Sequence, residues 1–257
     1  MINHKRQWIP LTYSMGFLFR HLRLLGWSIL LVAITVALTW IGYLEAIHLI
    51  DGLTGHFFQQ PPDITGIWGW LVGKGWLVVK YLFLIITRIA AFYLAFLTAY
   101  CLTTPGYVFL SGAAEKIYLG RQVKQTDGFT PAGVLIDLWE GCKIGAIGIL
   151  VTMVALAVNC IPVVGQALVF LIYVFYSALM FIDYPASNHR WTLGKKIDWV
   201  RTYRIHSFRL GIFPAFISMI PVINIFCMAL LFPLFTIHTT LNFIAVQNGE
   251  QPGIKLS

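Results

Sequence analysis

One arginine lies within a strongly apolar stretch of the chain. Arg88 follows residues 82–86 and precedes residues 89–94, and both flanking segments are apolar. A charged side chain in such a helix is costly in lipid and usually faces a protein interior or a water-filled path. There its guanidinium would be a fixed, forked hydrogen-bond donor for an anion. Snorkelling to an interface, or pairing with a carboxylate such as Glu45, would also explain this residue.

The other residues with chemical potential do not form an enzyme-like pattern. His238 is followed by two threonines, a small polar group that could coordinate a substrate or make interhelical hydrogen bonds. Hydrolase elbows, Walker loops and dinucleotide fingerprints are missing. The cysteines lack metal-ligand spacing and read as packing residues; they are Cys101, Cys142, Cys160 and Cys227. We therefore expect no enzyme activity, no cofactor and no bound metal.

The composition favours a lipid environment for these residues. Of the 257 residues, 58% are hydrophobic and only 11% are charged, against about 25% charged in soluble proteins. This excludes a disordered chain and argues against an ordinary soluble enzyme. The formal charge is +8, but the basic residues lie between apolar runs, unlike the water-soluble basic surface of a nucleic-acid binder. The implied partner is a lipid bilayer, not a nucleic acid.

Four long runs contain no Asp, Glu, Lys or Arg, and each exceeds the roughly 18 residues of a spanning helix. They cover residues 24–44, 89–114, 144–182 and 210–249. The first predicts one crossing at about residues 24–44. The second continues an apolar pattern that begins near Trp68, and it predicts a crossing at about residues 77–104. A helix over that whole pattern would exceed the hydrocarbon core, so it must project into water, tilt, or break near Gly73 and Gly75.

The third and fourth runs are each divided by a similar proline motif. The motifs are Ile161-Pro162-Val163-Val164-Gly165 and Ile220-Pro221-Val222-Ile223-Asn224. Proline lacks an amide proton, and Gly or Asn tolerates a left-handed turn, so both motifs predict tight bends. We expect two hairpins, at about residues 144–182 and 208–246, that form a duplicated unit. Because one arm of the second hairpin is only about 16 Å long as a helix, we favour re-entrant hairpins. Four ordinary spans are the alternative.

The basic residues indicate sidedness. They lie before the first run, after the second, between the hairpins and near the C-terminus, whereas residues 24–73 contain no Lys or Arg. By the positive-inside rule both termini and both long polar connections are cytoplasmic.

Residues 192–209 have the pattern of an amphipathic helix at that cytoplasmic interface. One face carries apolar side chains, and the bases lie largely off it: Lys195, Lys196, Arg201, Arg204 and Arg209. We expect these bases near anionic headgroups. A vestibule that concentrates anions would use the same charges.

A polar motif, Asp183-Tyr184-Pro185-Ala186-Ser187-Asn188-His189, precedes this basic helix. Locally it predicts that an apolar arm ends at Asp183 and that Pro185 forces a turn. Asn188 or Thr192 would then cap the following helix.

The same motif, with the basic helix and the second proline motif after it, resembles the CysZ sulfate permeases and the wider etoposide-induced protein family. The residues that carry the resemblance lie between Pro105 and the C-terminus; they are Glu115, Gly120, Pro162, Asp183, Tyr184, Pro185, Asn188, His189, Pro221 and Asn224. The resemblance implies an all-α integral membrane protein with two long transmembrane helices, two partly penetrating hairpins and interfacial helices. We expect one membrane domain over residues 1–257. The resemblance also implies homo-oligomers in the bacterial inner membrane.

The resemblance further implies sulfate uptake for cysteine synthesis. The family's sulfate site resembles a Pro-Gly-Leu-Arg turn before the first span, where backbone amides and the arginine hold the anion. Here the stretch reads His21-Leu22-Arg23, without the proline and with Gly26 after the arginine. We expect an inner-membrane anion permease, with sulfate as substrate and Arg23 and Arg88 as its contacts. The alternative is a non-transporting membrane scaffold that kept the fold and lost the turn.

Overall fold

The computed structural model describes residues 8–59, 67–120, 131–220 and 223–250. All regular structure in these ranges is α-helical. In chain order the helices are α1 (Leu11–Arg20), α2 (Leu22–Gln59), α3 (Ile67–Leu119), α4 (Pro131–Asn159), α5 (Val164–Asn188), α6 (Leu193–Thr202), α7 (Arg204–Ser218) and α8 (Ile223–Glu250).

Five of these helices are long and apolar enough to cross a membrane: α2, α3, α4, α5 and α8. Their outward surfaces carry many exposed large apolar side chains, which a soluble protein would not leave in water. The prediction of an all-α, multi-pass membrane protein is therefore confirmed.

The two long helices extend past their charge-free runs. Helix α3 has 53 residues, which corresponds to about 80 Å. It continues through Gly73 and Gly75, so the helix break that was one of three possibilities there does not occur. A glycine in a helix interior lowers helix stability by only about 1 kcal/mol relative to alanine, so the neighbouring turns keep the helix intact. The helix ends before Gly120, whose φ of 68° suits a C-terminal glycine.

The chain divides into two compact units. The smaller unit, Ile34–Tyr100, contains the second part of α2 and the first part of α3. Within it, a Cβ on Gly42 would lie 3.3 Å from Ala95 Cβ, and the rings of Tyr43 and Phe92 meet edge to face at 5.6 Å. Small side chains thus allow the two helices of this unit to pack closely.

Helix α5 is the centre of the larger unit, Met1–Ala33 with Cys101–Ser257. It contacts α4, α6, α7 and α8. A side chain on Gly211 of α7 would overlap the carbonyl oxygen of Val174 in α5, so glycine is what allows these helices to approach. Around them lies a buried core that includes Ile182, Trp199, and Phe243.

Helix α4 packs through a stripe of glycines. Each faces a side chain of another helix: Gly141 faces Thr104, Gly145 faces Cys101, and Gly148 faces Tyr176. Such small-residue stripes replace the hydrophobic effect as a packing device in lipid, because the backbones can come close.

The first hairpin turns at Pro162. Its arms, α4 and α5, have 29 and 25 residues, or about 43 and 37 Å, because both helices continue beyond the charge-free run. Val163 has a φ of 64°, and the Gly165 amide donates to the Ile161 carbonyl at 2.9 Å. Both arms are long enough to cross a bilayer.

The second hairpin has unequal arms. Helix α7 has only 15 residues, about 22 Å, whereas α8 has 28. The Asn224 amide donates to the Ile220 carbonyl at 3.0 Å, the counterpart of the Gly165 bond in the first hairpin. Pro221 lies outside the described residues. The re-entrant depth of the two hairpins stays a prediction.

The turn predicted at Pro185 is wrong. Helix α5 continues through Pro185 and ends at Asn188. Buried packing of the last turn of α5, where Asp183 and Ala186 are enclosed, holds the helix despite the missing amide. Thr192 does precede α6 as its N-cap residue, although its side chain makes no capping hydrogen bond.

Candidate functional site

The first candidate site forms where α1 meets α2. Helix α1 buries Ser14, Phe17 and Leu18 and ends at Arg20. Only His21 separates it from α2. The His21 ring nitrogen Nδ1 donates to the Phe17 carbonyl at 2.7 Å, so this histidine folds back onto α1.

The start of α2 presents a positive end. The first amides of an α-helix have no intrahelical acceptor, and the helix dipole adds a partial positive charge there. Arg23 lies in this first turn, and Arg20 lies on the other side of His21; both side chains are exposed. Neither forms an ion pair with any residue that the structure describes. The turn therefore combines helix amides with two cations that lack an acidic partner in the described chain.

An open cavity of about 480 Å³ adjoins this turn. It lies between α1 and the end of α3, and the residues that line it include Arg20, His21, Tyr13 and Tyr118. Arg23 does not line it. A small oxyanion would find several hydrogen-bond donors here.

Arg88 belongs to the smaller unit and is described by itself. Its side chain is exposed on α3, and the described residues give it no ion pair, including the pair with Glu45 that was one explanation for it. Its role as an anion contact stays a prediction, as does that of Arg23.

A second, very different charged site lies at the junction of α4, α5 and α6. Lys196 of α6 is 0% exposed. Its Nζ donates to Asp183 Oδ1 at 2.7 Å, to Glu140 Oε2 at 3.2 Å and to Ser187 Oγ at 3.2 Å. We call Lys196, Asp183, Glu140 and Ser187 the lysine network. Because all three ammonium protons have acceptors, the buried charge is fully compensated.

The placement of Lys196 at the headgroups is a wrong prediction. Lys196 lies one helical turn before Trp199 and Val200, which are buried, so it faces the same core. The exposed bases of α6 and α7 are Lys195, Arg201, Arg204 and Arg209. Lys195 lies 4.1 Å from the ring centre of Trp191.

Two further ion pairs extend the lysine network. Lys143 lies 2.6 Å from Glu140, and Arg190 lies 3.2 Å from Asp137. Among the residues that the structure describes, three acids thus meet three bases at this junction, which leaves no surplus charge there for a ligand.

The remaining motif residues connect α5 to α3 and α8. His189 Nε2 lies 3.2 Å from Glu115 Oε1, and the Asn188 amide lies 3.2 Å from Ser111 Oγ. Ser111 in turn lies 2.8 Å from Thr240 Oγ1 of α8. Tyr184 packs against the rings of Tyr107 and Phe232 and other aromatic side chains of the core. With the contacts of Asp183 and Ser187 to Lys196, the motif thus connects α5 to α3, α6 and α8.

His238 makes interhelical hydrogen bonds, as one of its two interpretations predicted. Its Nδ1 lies 2.9 Å from Ser14 Oγ of α1, and it is 4% exposed. Among the described residues, no group of three or more His, Cys, Asp or Glu side chains is arranged for a metal ion.

Sequence reasoning missed Arg20, Asp137 and Glu140. A signal for the acids was present, because Asp137, Glu140 and Lys143 recur every three residues on an otherwise apolar helix and so share one face. Arg20 was counted only as a sidedness charge.

Comparison with known proteins agrees with this architecture. The family model described as sulfate transporter CysZ/etoposide-induced protein 2.4 matches residues 11–229, from the first residue of α1 into α8. A protein named sulfate transporter CysZ from Pseudomonas fluorescens (strain Pf0-1) is 29% identical over 192 residues, which is 68% of this chain and 73% of that protein. On the extent of the family match, this chain belongs to the sulfate transporter CysZ/etoposide-induced protein 2.4 family.

Proposed function

We propose that this protein is a permease that carries sulfate, or an oxyanion like it, across the bacterial inner membrane. The observation that carries the proposal is the α1–α2 turn, where Arg20 and Arg23 have no acidic partner among the described residues and flank the first amides of α2. The family membership and the name of the Pseudomonas relative support the same substrate class.

The chemistry of the turn suits a tetrahedral dianion. Helix amides donate to oxyanions without a change in conformation, and a guanidinium adds charge-assisted hydrogen bonds. The cavity beside Arg20 and His21 gives the anion space next to the turn. Arg88, an exposed cation on the apolar helix α3, would lower the cost of an anion within the bilayer.

Sidedness and assembly complete the proposal. The basic segments before α2 and between the hairpins would lie in the cytoplasm, with both termini on that side. The protein would form one membrane domain and a homo-oligomer, and it would be a transporter rather than an enzyme. Uptake of a dianion against an inside-negative potential costs about 4.6 kcal/mol per 100 mV, so the transport rate should depend on voltage unless cations move with the anion.

The test is radiolabelled sulfate uptake by liposomes that contain the purified protein. The potential is set with a potassium gradient and valinomycin. We expect uptake by the wild type and at least a tenfold loss in the Arg23→Ala, Arg88→Ala double variant. Lys195→Ala removes an exposed base elsewhere and serves as the control. Absent wild-type uptake would reject the function, and unchanged uptake in the double variant would reject the site.

A second candidate is a non-transporting membrane scaffold. The specific observation is the α1–α2 turn, which lacks the proline of the turn that the resemblance implies, has Gly26 after the arginine, and holds His21 bonded to α1. Calorimetry without a sulfate signal, together with a stoichiometric protein partner after purification, would favour this candidate. Selective sulfate binding would reject it.

A further inference from the structure

The segment just before α1 is attached to α8 through its backbone. The Ile9 amide donates to Asn242 Oδ1 at 3.0 Å, and Asn242 Nδ2 donates back to the Ile9 carbonyl at 3.1 Å. Asn242 is 1% exposed. One side-chain amide thus pairs with both polar groups of a residue next to the start of α1, as a strand partner would.

His238 contacts α1 itself, at Ser14, five residues after Ile9. Asn242 Nδ2 also donates to the His238 carbonyl at 2.9 Å, and it lies 3.3 Å from His238 Nδ1. His238 Nδ1 also lies 2.9 Å from the Ser14 hydroxyl, so this ring nitrogen contacts both α1 and Asn242. We call Asn242 and His238, with Ile9 and Ser14, the α1 clamp.

Trp8 covers the clamp from the side of α7. Its ring meets that of His238 edge to face at 5.4 Å, and the guanidinium of Arg209 lies 5.5 Å from the Trp8 ring centre. The clamp is thus enclosed by α1, α7 and α8. Its four members are all buried, so each lost hydrogen bond would leave a polar group without water.

The α1 clamp fixes the N-terminal end of α1, which is a short helix. Helix α1 has 10 residues, or about 15 Å, and its other end carries Arg20, which only His21 separates from α2. Near that end the rings of Phe17 and Tyr118 meet at 6.3 Å. The position of Arg20 and the geometry of the His21 connection therefore depend on how α1 is docked.

We propose that Asn242 and His238 are positioning residues for the anion turn, which they serve by docking α1 on α8. This inference rests on the proposed function. When α1 is undocked, Arg20 leaves the turn and the sulfate affinity falls. The apparent dissociation constant for sulfate then rises by the inverse of the docked fraction.

The experiment measures the docked fraction and the sulfate affinity on the same protein in nanodiscs. Spin labels are placed on a background without native cysteines, at Met15 of α1 and Phe226 of α8, both of which are exposed. Met15 is next to Ser14, which contacts His238, and Phe226 lies 12 residues before His238, about 18 Å along α8. The distance between the two labels therefore suits pulsed electron paramagnetic resonance. Sulfate affinity is measured by titration calorimetry.

We expect one narrow distance distribution in the wild type. In Asn242→Ala a second, longer population should dominate, with about a tenfold increase in the sulfate dissociation constant. Ser14→Ala, which leaves the Ile9 bonds intact, should give about a threefold increase and keeps the test open if Asn242→Ala does not fold. Asn248→Ala is the matched control, because that amide nitrogen on the same helix has no hydrogen-bond partner among the described residues.

The outcomes separate the two proposals. Unchanged distances in the clamp variants would overturn the docking. A second population with wild-type sulfate affinity would overturn the positioning role while leaving the proposed function intact. Absent sulfate binding by the wild type itself would reject the proposed function, and the positioning role with it.

Discussion

The lysine network and the α1–α2 turn both contain basic residues at the ends of helices, but they differ in what surrounds the charge. Lys196 is enclosed and touches three acceptors, two of them carboxylates. Arg20 and Arg23 are exposed, and the described residues give them no ion pair. The first arrangement has no spare donor for a ligand, whereas the second has several.

The difference shows how a basic membrane protein divides its charge. The formal charge of +8 looks at first like one sidedness signal. In the folded chain some cations are neutralised within the fold, and others stay available to lipid or solute. Substitutions should therefore change stability in one region and anion affinity in the other.

The largest effect on stability should come from Lys196→Met. It leaves Asp183 buried without its cation, which costs about 3–5 kcal/mol of unfolding free energy. Thermal unfolding in detergent measures the change, and Lys195→Met, beside it but exposed, should cost less than about 1 kcal/mol. The Lys196→Met, Asp183→Leu double variant should recover most of the loss. Equal stability of the two lysine variants would contradict the burial of Lys196.

Glu115→Gln should have an intermediate effect. The substitution removes the charge opposite His189 but keeps an oxygen that can accept its hydrogen bond, so the expected loss is about 1 kcal/mol. The same unfolding measurement tests it, with Glu115→Ala as a comparison that removes the acceptor as well. If Glu115→Gln cost as much as Lys196→Met, the Glu115–His189 pair would belong with the fully buried charges.

The smallest effect on stability should follow Arg20→Ala and Arg23→Ala. Both side chains are exposed and form no ion pair in the described chain, so each change should stay within about 0.5 kcal/mol. Unfolding curves that overlay that of the wild type would support the difference between these exposed arginines and the buried Lys196. A loss of several kcal/mol would indicate that the turn has a structural partner.

Much of the fold was predictable because lipid imposes simple rules on sequence. Long charge-free runs marked the membrane helices, and the proline motifs at Pro162 and Pro221 marked where two runs divide. The helix ends were less predictable, since α4 continues through Glu140 and Lys143. Those charges are tolerated because Lys143 pairs with Glu140 one turn away and Glu140 pairs with Lys196 of α6, a contact between helices that no single run reveals.

The sites were less predictable than the fold. Lys196 and Lys195 are adjacent in sequence, yet one is buried and the other exposed, because a step of one residue turns a helix by about 100°. Pro185 reads locally as a turn, yet packing around Asp183 keeps it helical. Arg20 had no pattern of its own. Arg20 is a candidate anion contact because it lines the cavity between α1 and α3, which forms only after folding.

The most direct test of the central claim is a sulfate titration of three proteins in the same nanodiscs: wild type, Arg23→Ala and Lys195→Ala. The two variants lose the same charge, one from the α1–α2 turn and one from the exposed face of α6. We predict at least a tenfold weaker sulfate affinity for Arg23→Ala and wild-type affinity for Lys195→Ala. Equal affinities in all three proteins would show that the turn does not bind the anion.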